Sequence, residues 1–161
     1  MTRVEAVDVL NKPISRELLG SSIPARLSYV GLDGDPRVVP VAFLWTGEQV
    51  VVCTVPASAK VAALRHNPRV ALTIDTETYP PRALLVRGAA TVEIVDGVPD
   101  EYVAASRKLV PEPEFPRWEA GVRALYTTMA RIVIEPDWAK LLDFETTIPQ
   151  AVEDLVRARR H

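Results

Sequence analysis

The sequence has little cysteine and histidine, with one cysteine and two histidines in 161 residues. The single cysteine, Cys53, cannot form an intramolecular disulfide. With His66 and His161 it gives too few ligands for a four-coordinate metal site. Cys53 directly follows three valines, a setting typical of a buried and unreactive thiol. The sequence therefore predicts neither a disulfide scaffold nor a metal centre.

Long apolar runs are also missing, because a charged residue or a proline interrupts every hydrophobic stretch before it reaches membrane-spanning length. The first residues lack the basic start, apolar middle and small-residue cleavage site of a signal peptide, so we expect a cytoplasmic protein. The formal net charge of −2 lacks the surplus of Lys and Arg that a general nucleic-acid binder needs. We expect neither a membrane nor a nucleic acid as a partner.

Residues 1–161 are predicted to form one domain, because their number suits one hydrophobic core and no low-complexity linker divides them. Residues 1–12 carry no clear signal and are predicted to be an extended arm, while 146–161 form a polar tail containing a frayed helix. Alternating apolar and polar residues predict strands at 25–30, 37–45, 49–54, 69–75, 82–95, 129–135 and 138–144. Capping and stop signals predict helices at 15–20, 58–66, about 100–109 and about 117–126.

This pattern of hairpins and short helices predicts an α+β fold that is mainly β, with an antiparallel barrel as its core. Ser15 is the expected N-cap of the first helix. Gly88 interrupts the long strand 82–95 and is expected to mark a bulge or a barrel bend. Closing the sheet is the usual way in which such a chain avoids exposed strand edges.

Pro40 lies inside an otherwise strong strand signal from Arg37 to Trp45. Because proline cannot donate to a strand ladder, this segment belongs at a sheet edge or beside a bulge. The free backbone groups there suit a planar heterocycle with alternating donors and acceptors. The alternative is a proline that only blocks the edge.

A second informative segment joins the end of a strand at Thr54 to a helix start at Ser58 and Lys60. A helix start has unpaired N–H groups and a partial positive charge, and these two side chains add a hydroxyl and a full charge. This combination is what a phosphate group needs. The alternative is that Ser58 caps the helix and Lys60 is solvated.

The order of these segments resembles the pyridoxamine-5′-phosphate-oxidase-like split-barrel family, which includes FMN-dependent and deazaflavin-dependent oxidoreductases. The resemblance spans about 15–145 and rests on Asp33-Gly34-x-Pro36-Arg37-Val38-Val39-Pro40-Val41-x-Phe43, Thr54, Ser58-x-Lys60-x-x-x-Leu64-x-x-Asn67-Pro68, Val86-Arg87-Gly88 and Ile134-x-Pro136 through Leu142-Asp143-Phe144. It implies a homodimer with the cofactor, FMN or the deazaflavin coenzyme F-420, between the subunits. The residues that it places at the cofactor are Arg37, Val39, Pro40, Val41, Thr54, Ser58, Lys60, Arg87 and Trp138.

Their implied roles differ. Ser58 and Lys60, helped by Thr54, would hold the phosphate, and the backbone of 39–41 would line the ring. Arg37 is either a cofactor ligand or a member of a surface ion pair. Arg87 serves either the cofactor or the dimer contact. Trp138 either closes the site from the partner chain or belongs to the core.

The resemblance implies an oxidoreductase that transfers hydride between the cofactor and a small organic substrate. No His, Cys or carboxylate pair is placed as an acid, base or nucleophile, which a flavin enzyme tolerates. A non-enzymatic flavin carrier remains an alternative, and so does haem binding, although neither His66 nor His161 is an obvious axial ligand. Pyridoxamine-phosphate oxidase activity itself is not expected, because the basic C-terminal motif for the substrate phosphate is not recognisable. The substrate is left open; the loops 77–81 and 110–116 are expected to select it.

Overall fold

A seven-stranded antiparallel sheet organises the protein, whose computed structural model describes residues 1–160. The strands are β1 Ala25–Val30, β2 Pro36–Val41, β3 Leu44–Trp45, β4 Val50–Thr54, β5 Arg69–Asp75, β6 Ala83–Asp96 and β7 Thr128–Leu142. The helices are α1 Arg3–Leu10, α2 Pro13–Gly20, α3 Ala59–His66, α4 Asp100–Arg107, α5 Phe115–Leu125 and α6 Gln150–Ala158, with a 3₁₀ turn at Glu112–Glu114. This α+β architecture confirms the predicted fold class.

The order of the strands explains why the sheet curls. Along the sheet the order is β2-β1-β5-β6-β7-β4-β3, so β2 and β3 lie at opposite edges. Only Ala42 and Phe43 separate these two strands in the chain. The edges must therefore approach each other, and the sheet forms a barrel that is not closed by a ladder between β2 and β3. The single strand predicted at 37–45 is wrong, because its two halves belong to different edges of the sheet.

The interior of the barrel follows the alternation of inward and outward residues along strands such as β1 and β5, although three consecutive valines of β4 are all buried. In β5, Val70, Leu72 and Ile74 are buried, whereas Ala71 and Thr73 between them face outward. Burying a side chain of this size contributes about 1.5–3 kcal/mol. Phe43 is also almost fully buried and lies at the point where the chain passes from β2 to β3. The alternation thus defines an inner apolar face and an outer face that is free to carry function.

The N-terminal residues are helical, so the extended arm predicted for 1–12 is wrong. Thr2 and Glu5 form a capping box: the Glu5 amide donates to the Thr2 hydroxyl at 3.2 Å, and the Thr2 amide donates to the Glu5 carboxylate at 2.6 Å. Ala6 and Leu10 are completely buried, and α1 packs against β7. The Thr-x-x-Glu pattern is a recognised helix-start signal. Burial of one helix face supplies the remaining stabilisation.

Helix α2 begins earlier than predicted. Its N-cap is Lys12 and Pro13 occupies the first helical position, where a missing N–H costs nothing. Ser15 is fully buried inside the helix, and its hydroxyl donates to the Val9 carbonyl at 2.7 Å. Ser15 therefore ties α2 to α1 and is not the predicted cap.

The ladder between β6 and β7 contains a bulge, and β7 continues through it. Gly88 pairs with Pro136 and Arg87 pairs with Trp138, so Asp137 is an extra residue in β7. The two strands predicted at 129–135 and 138–144 are therefore one strand, because the bulge absorbs Pro136-Asp137 without ending the ladder. The bulge expected at Gly88 is confirmed. A Cβ at Gly88 would lie 2.3 Å from the Glu135 carbonyl oxygen, which explains the glycine.

The C-terminal segment contains the predicted helix, α6, which lies on the surface. Its exposed residues include Val152, Leu155 and Val156, so the tail is not purely polar as expected. His161, the last residue of the predicted tail, lies outside the described residues. Within residues 1–160, no helix combines the length and the apolar composition that crossing a bilayer requires.

Candidate functional site

The turn from β4 into α3 brings three of the predicted site residues together. Thr54 ends β4, Ser58 is the N-cap of α3 by position, and Lys60 is in the first turn of that helix. The Ser58 side chain makes no capping hydrogen bond, so the predicted side-chain cap is wrong. The Val61 amide donates to the Ser58 carbonyl at 3.0 Å, whereas the amides of Ala59 and Lys60 and the hydroxyl of Ser58 are left for another acceptor or donor.

Lys60 differs from the other cations around it. It is half-buried, and burial lowers the pKa of its ammonium group. No carboxylate of residues 1–160 forms an ion pair with Lys60, whereas Arg37, which lies beside the first turn of α3, is paired with Asp33. Arg65 on the same helix also has no ion pair among these residues, but its side chain is exposed.

Lys108 is a useful comparison, because burial lowers the pKa of its ammonium group to about 8. That ammonium group donates to the Leu19 carbonyl at 3.0 Å and lies 3.7 Å from the centre of the Phe43 ring. The protein itself stabilises Lys108, but it offers Lys60 no equivalent contact in the described residues.

Strand β2 is an edge strand, as the proline signal predicts, since its only neighbour in the sheet is β1. Pro36 and Pro40 are four residues apart, so their nitrogens point to the same side of the strand. Because proline cannot donate, that side is the open edge. The open edge then presents the N–H of Val38 and the carbonyls of Val38 and Pro40, while the Pro36 carbonyl accepts a hydrogen bond from the Arg37 guanidinium at 3.4 Å. Val39 and Val41 turn their side chains toward the barrel interior.

Arg37 is in a surface ion pair, which was one of its two predicted settings. Its guanidinium donates to the Asp33 carboxylate at 2.6 Å and to the Asp35 carbonyl at 3.2 Å. A Cβ at Gly31 would lie 3.0 Å from the guanidinium carbon, so Gly31 leaves room for this side chain. Arg37 and Ala59 line a common hollow of about 330 Å³, which places Arg37 beside the first turn of α3.

The outer face of the sheet carries a groove of about 310 Å³, which we call the trough. One row of directly paired residues crosses five strands through it: Val38, Ser28, Ala71, Arg87 and Trp138. Ser28 and Ala71 form a low floor, because their side chains are small, and the larger residues form the two sides. The Arg87 guanidinium lies 4.0 Å from the centre of the Trp138 ring, a cation–π geometry.

The structure thus separates the predicted site residues into two groups. Thr54, Ser58 and Lys60 meet at the start of α3, while Arg87 and Trp138 meet in the trough. Trp138 is half-buried on the outer face, so the core alternative for it is wrong.

Sequence reasoning missed three outer-face residues, Ser28, Ala71 and Lys140. Their alternation with apolar neighbours marked them as outward, but only the strand register places them beside Arg87 and Trp138.

The described residues offer few groups for acid–base or metal chemistry. Within 1–160, no cluster of three or more His, Cys, Asp or Glu side chains is arranged to hold a metal ion. His66 is exposed at the last residue of α3. Burial raises the pKa of the Cys53 thiol to about 12, so this thiol is protonated near neutral pH.

Comparison with solved structures supports the same fold. An F420 reductase is 26% identical, with 78% of this chain and 94% of that chain covered and a TM-score of 0.61. A conserved hypothetical protein from Mycobacterium tuberculosis is 19% identical, with 94% of each chain covered and a TM-score of 0.57. A heme storage protein from Vibrio cholerae is 17% identical, with 82% and 93% covered and a TM-score of 0.58. The last two likenesses show the fold alone.

No curated protein matches the sequence. The family model described as pyridoxamine 5′-phosphate oxidase matches residues 13–133, which is 121 of the 161 residues. The match includes the trough residues from Val38 to Arg87 but not Trp138, and it includes the whole β4–α3 turn. Because the chain forms a split barrel and the family model matches three quarters of its sequence, this chain belongs to the pyridoxamine 5′-phosphate oxidase family.

Proposed function

We propose that this protein binds a flavin-type cofactor, FMN or the deazaflavin coenzyme F-420, and is an oxidoreductase that transfers hydride between it and a small organic substrate. The observation that carries the proposal is the half-buried Lys60 beside the open start of α3. A partly desolvated cation without a counter-ion is stabilised by a bound anion. Both cofactors contain a phosphate group, which the ammonium, the Ser58 hydroxyl and the first amides of α3 would bind.

The open edge of β2 supports the position of the ring. In an extended strand, the N–H and C=O of one residue point to the same side, so Val38 offers a donor next to an acceptor. The pyrimidine end of a flavin carries an N–H between two carbonyls and complements such a pair. The backbone of Val38 and Pro40 at the open edge would then orient the ring, while the backbone groups of Val39 and Val41 point to β1 and their side chains stay in the core. When bound, the cofactor would supply the electron chemistry, and the chain would supply orientation.

We also propose a homodimer with the site between the subunits. Lys60, the β2 edge and the trough are all accessible on one copy, and nothing in residues 1–160 covers them. Hydride transfer benefits from exclusion of water, which a second copy over this face would provide. In such a dimer, Trp138 is a candidate to close the site of the partner.

The decisive experiment is a titration of the purified protein with FMN and, separately, with F-420, followed by visible absorption and fluorescence. We expect Lys60→Ala to weaken binding by about 1.5–3 kcal/mol, or roughly 10- to 150-fold, the scale of a charge-assisted hydrogen bond. The matched control is Lys12→Ala, because Lys12 is exposed and its side chain caps nothing. An unchanged affinity of a folded Lys60→Ala protein would remove the site assignment.

The same titration separates the alternatives. Haem has absorption bands distinct from both flavins, so preferential haem binding would replace the proposal. A flavin that binds without any gain in reactivity is another outcome. If the bound, reduced cofactor transfers hydride to every acceptor tested no faster than the free cofactor does, the protein is a carrier. Preference for F-420 over FMN would indicate that basic residues also hold its acidic tail. Two arginines that could otherwise serve that tail, Arg69 and Arg82, are already paired with Asp137 and Glu17.

A further inference from the structure

The trough carries uncompensated positive charge in a protein whose formal net charge is −2. Two arginines and no acidic residue line it. Arg26 is neutralised by Asp75, but Arg87 forms no ion pair within residues 1–160. Asp137 is the carboxylate beside Arg87, yet Arg69 binds both of its oxygens. The free charge of Arg87 therefore faces the trough.

A second free cation lies next to it. Lys140 pairs with Leu85 in the ladder, one step along β7 from Trp138 on the same outer face. It is half-buried and has no ion-pair partner among the described residues. Lys140 thus adds a second positive charge to the outer face that carries the stacked pair of Arg87 and Trp138, beside the residues that line the trough.

The shape of the trough is that of a slot for a flat molecule. Its floor is Ser28 and Ala71, and its sides are Val38 and the stacked pair of Arg87 and Trp138. Since neighbouring strands lie about 4.8 Å apart, three strand intervals separate Val38 from Arg87, a width of about 14 Å. A guanidinium that already stacks on an indole keeps its N–H edges free, so it binds a carboxylate without losing the stack.

We propose that the trough binds a planar conjugated ring bearing a carboxylate, with Arg87 on the carboxylate and Val38 and Trp138 beside the ring. We take this molecule to be the substrate of the proposed oxidoreductase, and only this part of the inference rests on the proposed function. The binding itself depends on the trough alone. It assigns Arg87 and Trp138 to the substrate, whereas the cofactor phosphate belongs to the Lys60 site.

The test uses 2-naphthoate as the probe and its neutral analogue 2-naphthalenemethanol, titrated by calorimetry into the full-length protein without added cofactor. We expect naphthoate to bind at least about tenfold more tightly than the alcohol, and Arg87→Leu to remove that preference. Arg87→Lys restores part of it, because the charge returns without the planar stack. Arg16→Leu is the control, since Arg16 is exposed on α2 without an ion pair and away from the trough. Trp138→Phe abolishes the quenching of indole fluorescence by naphthoate.

Each result of these titrations either supports or overturns the proposal. Equal affinity for the acid and the alcohol, an unchanged affinity in folded Arg87→Leu, or no binding by the unaltered protein overturns the proposal. If Arg87→Leu instead changes the sedimentation coefficient while naphthoate does not bind, the trough is a contact between subunits. The Lys60→Ala protein separates this inference from the proposed function: it binds naphthoate normally even if it has lost the flavin.

Discussion

Adding a single methyl group at Gly88 tests how tightly the backbones of β6 and β7 pack at the bulge. An alanine Cβ there would lie 2.3 Å from the Glu135 carbonyl oxygen and 2.9 Å from its carbonyl carbon. Both atoms belong to the backbone of β7, which the long ladder with β6 holds in place. No flexible side chain can move aside, so one of the two strands must shift. Overpacking commonly costs about 1–3 kcal/mol, and a backbone clash belongs at the upper end of that range.

We therefore expect Gly88→Ala to lower the free energy of unfolding by about 3 kcal/mol, a large share of the 5–15 kcal/mol of an ordinary domain. In urea, this loss lowers the unfolding midpoint by about 1–2 M at an unchanged slope. Circular dichroism and tryptophan fluorescence measure the transition. The matched control is Gly121→Ala in the middle of the exposed helix α5, where a Cβ meets no atom within 4 Å.

The control changes stability in the opposite direction. Alanine is the better helix former by about 0.5–1 kcal/mol, so Gly121→Ala raises the midpoint. A Gly88→Ala protein with the midpoint of the unaltered chain would refute the reasoning, because the bulge would then have room for a side chain. A variant that is destabilised without a shift in slope, while Gly121→Ala is stabilised, supports it.

Two further predictions concern titratable groups. The hydroxyl of Thr146, followed by the amide of Thr147, holds the pKa of the Asp143 carboxyl well below its usual range. A carboxyl whose pKa is lowered in the folded state stabilises the fold above its unfolded pKa of about 3.9, and this stabilisation is lost as the pH falls below that value. We therefore expect the Asp143→Asn protein to be less stable than the unaltered protein at pH 7 and to lose less stability below pH 4. Thermal unfolding measured across this pH range tests the expectation. Because burial raises the pKa of the Cys53 thiol to about 12, we expect native protein at pH 8 to react with iodoacetamide much more slowly than urea-unfolded protein. Equal rates in the two states would contradict this burial.

The strands that sequence predicted best are those whose signal is local. The predicted bounds 25–30 and 69–75 match β1 and β5, since the alternation of inward and outward residues runs along the whole strand. The edge position of β2 and the bulge at Gly88 also followed from single residues, because proline cannot donate and a bulge favours glycine.

The errors share a physical origin. The segment 37–45 has a continuous strand signal, yet it divides between two sheet edges because Phe43 enters the core between them. The helix α1 is weak in its apolar pattern and depends on a capping box and on burial against β7. In each case a contact distant in sequence decided the outcome.

The same distinction holds for the candidate site. The β4–α3 turn is contiguous, so Thr54, Ser58 and Lys60 were identifiable from their order alone. What sequence determined about the trough was only which residues face outward, because the period of two along a strand fixes the face. Which outward residues become neighbours depends on strand order and register across five strands. The tertiary structure alone decided that Ser28 and Ala71 lie between Val38 and Arg87, and that Arg87 stacks on Trp138.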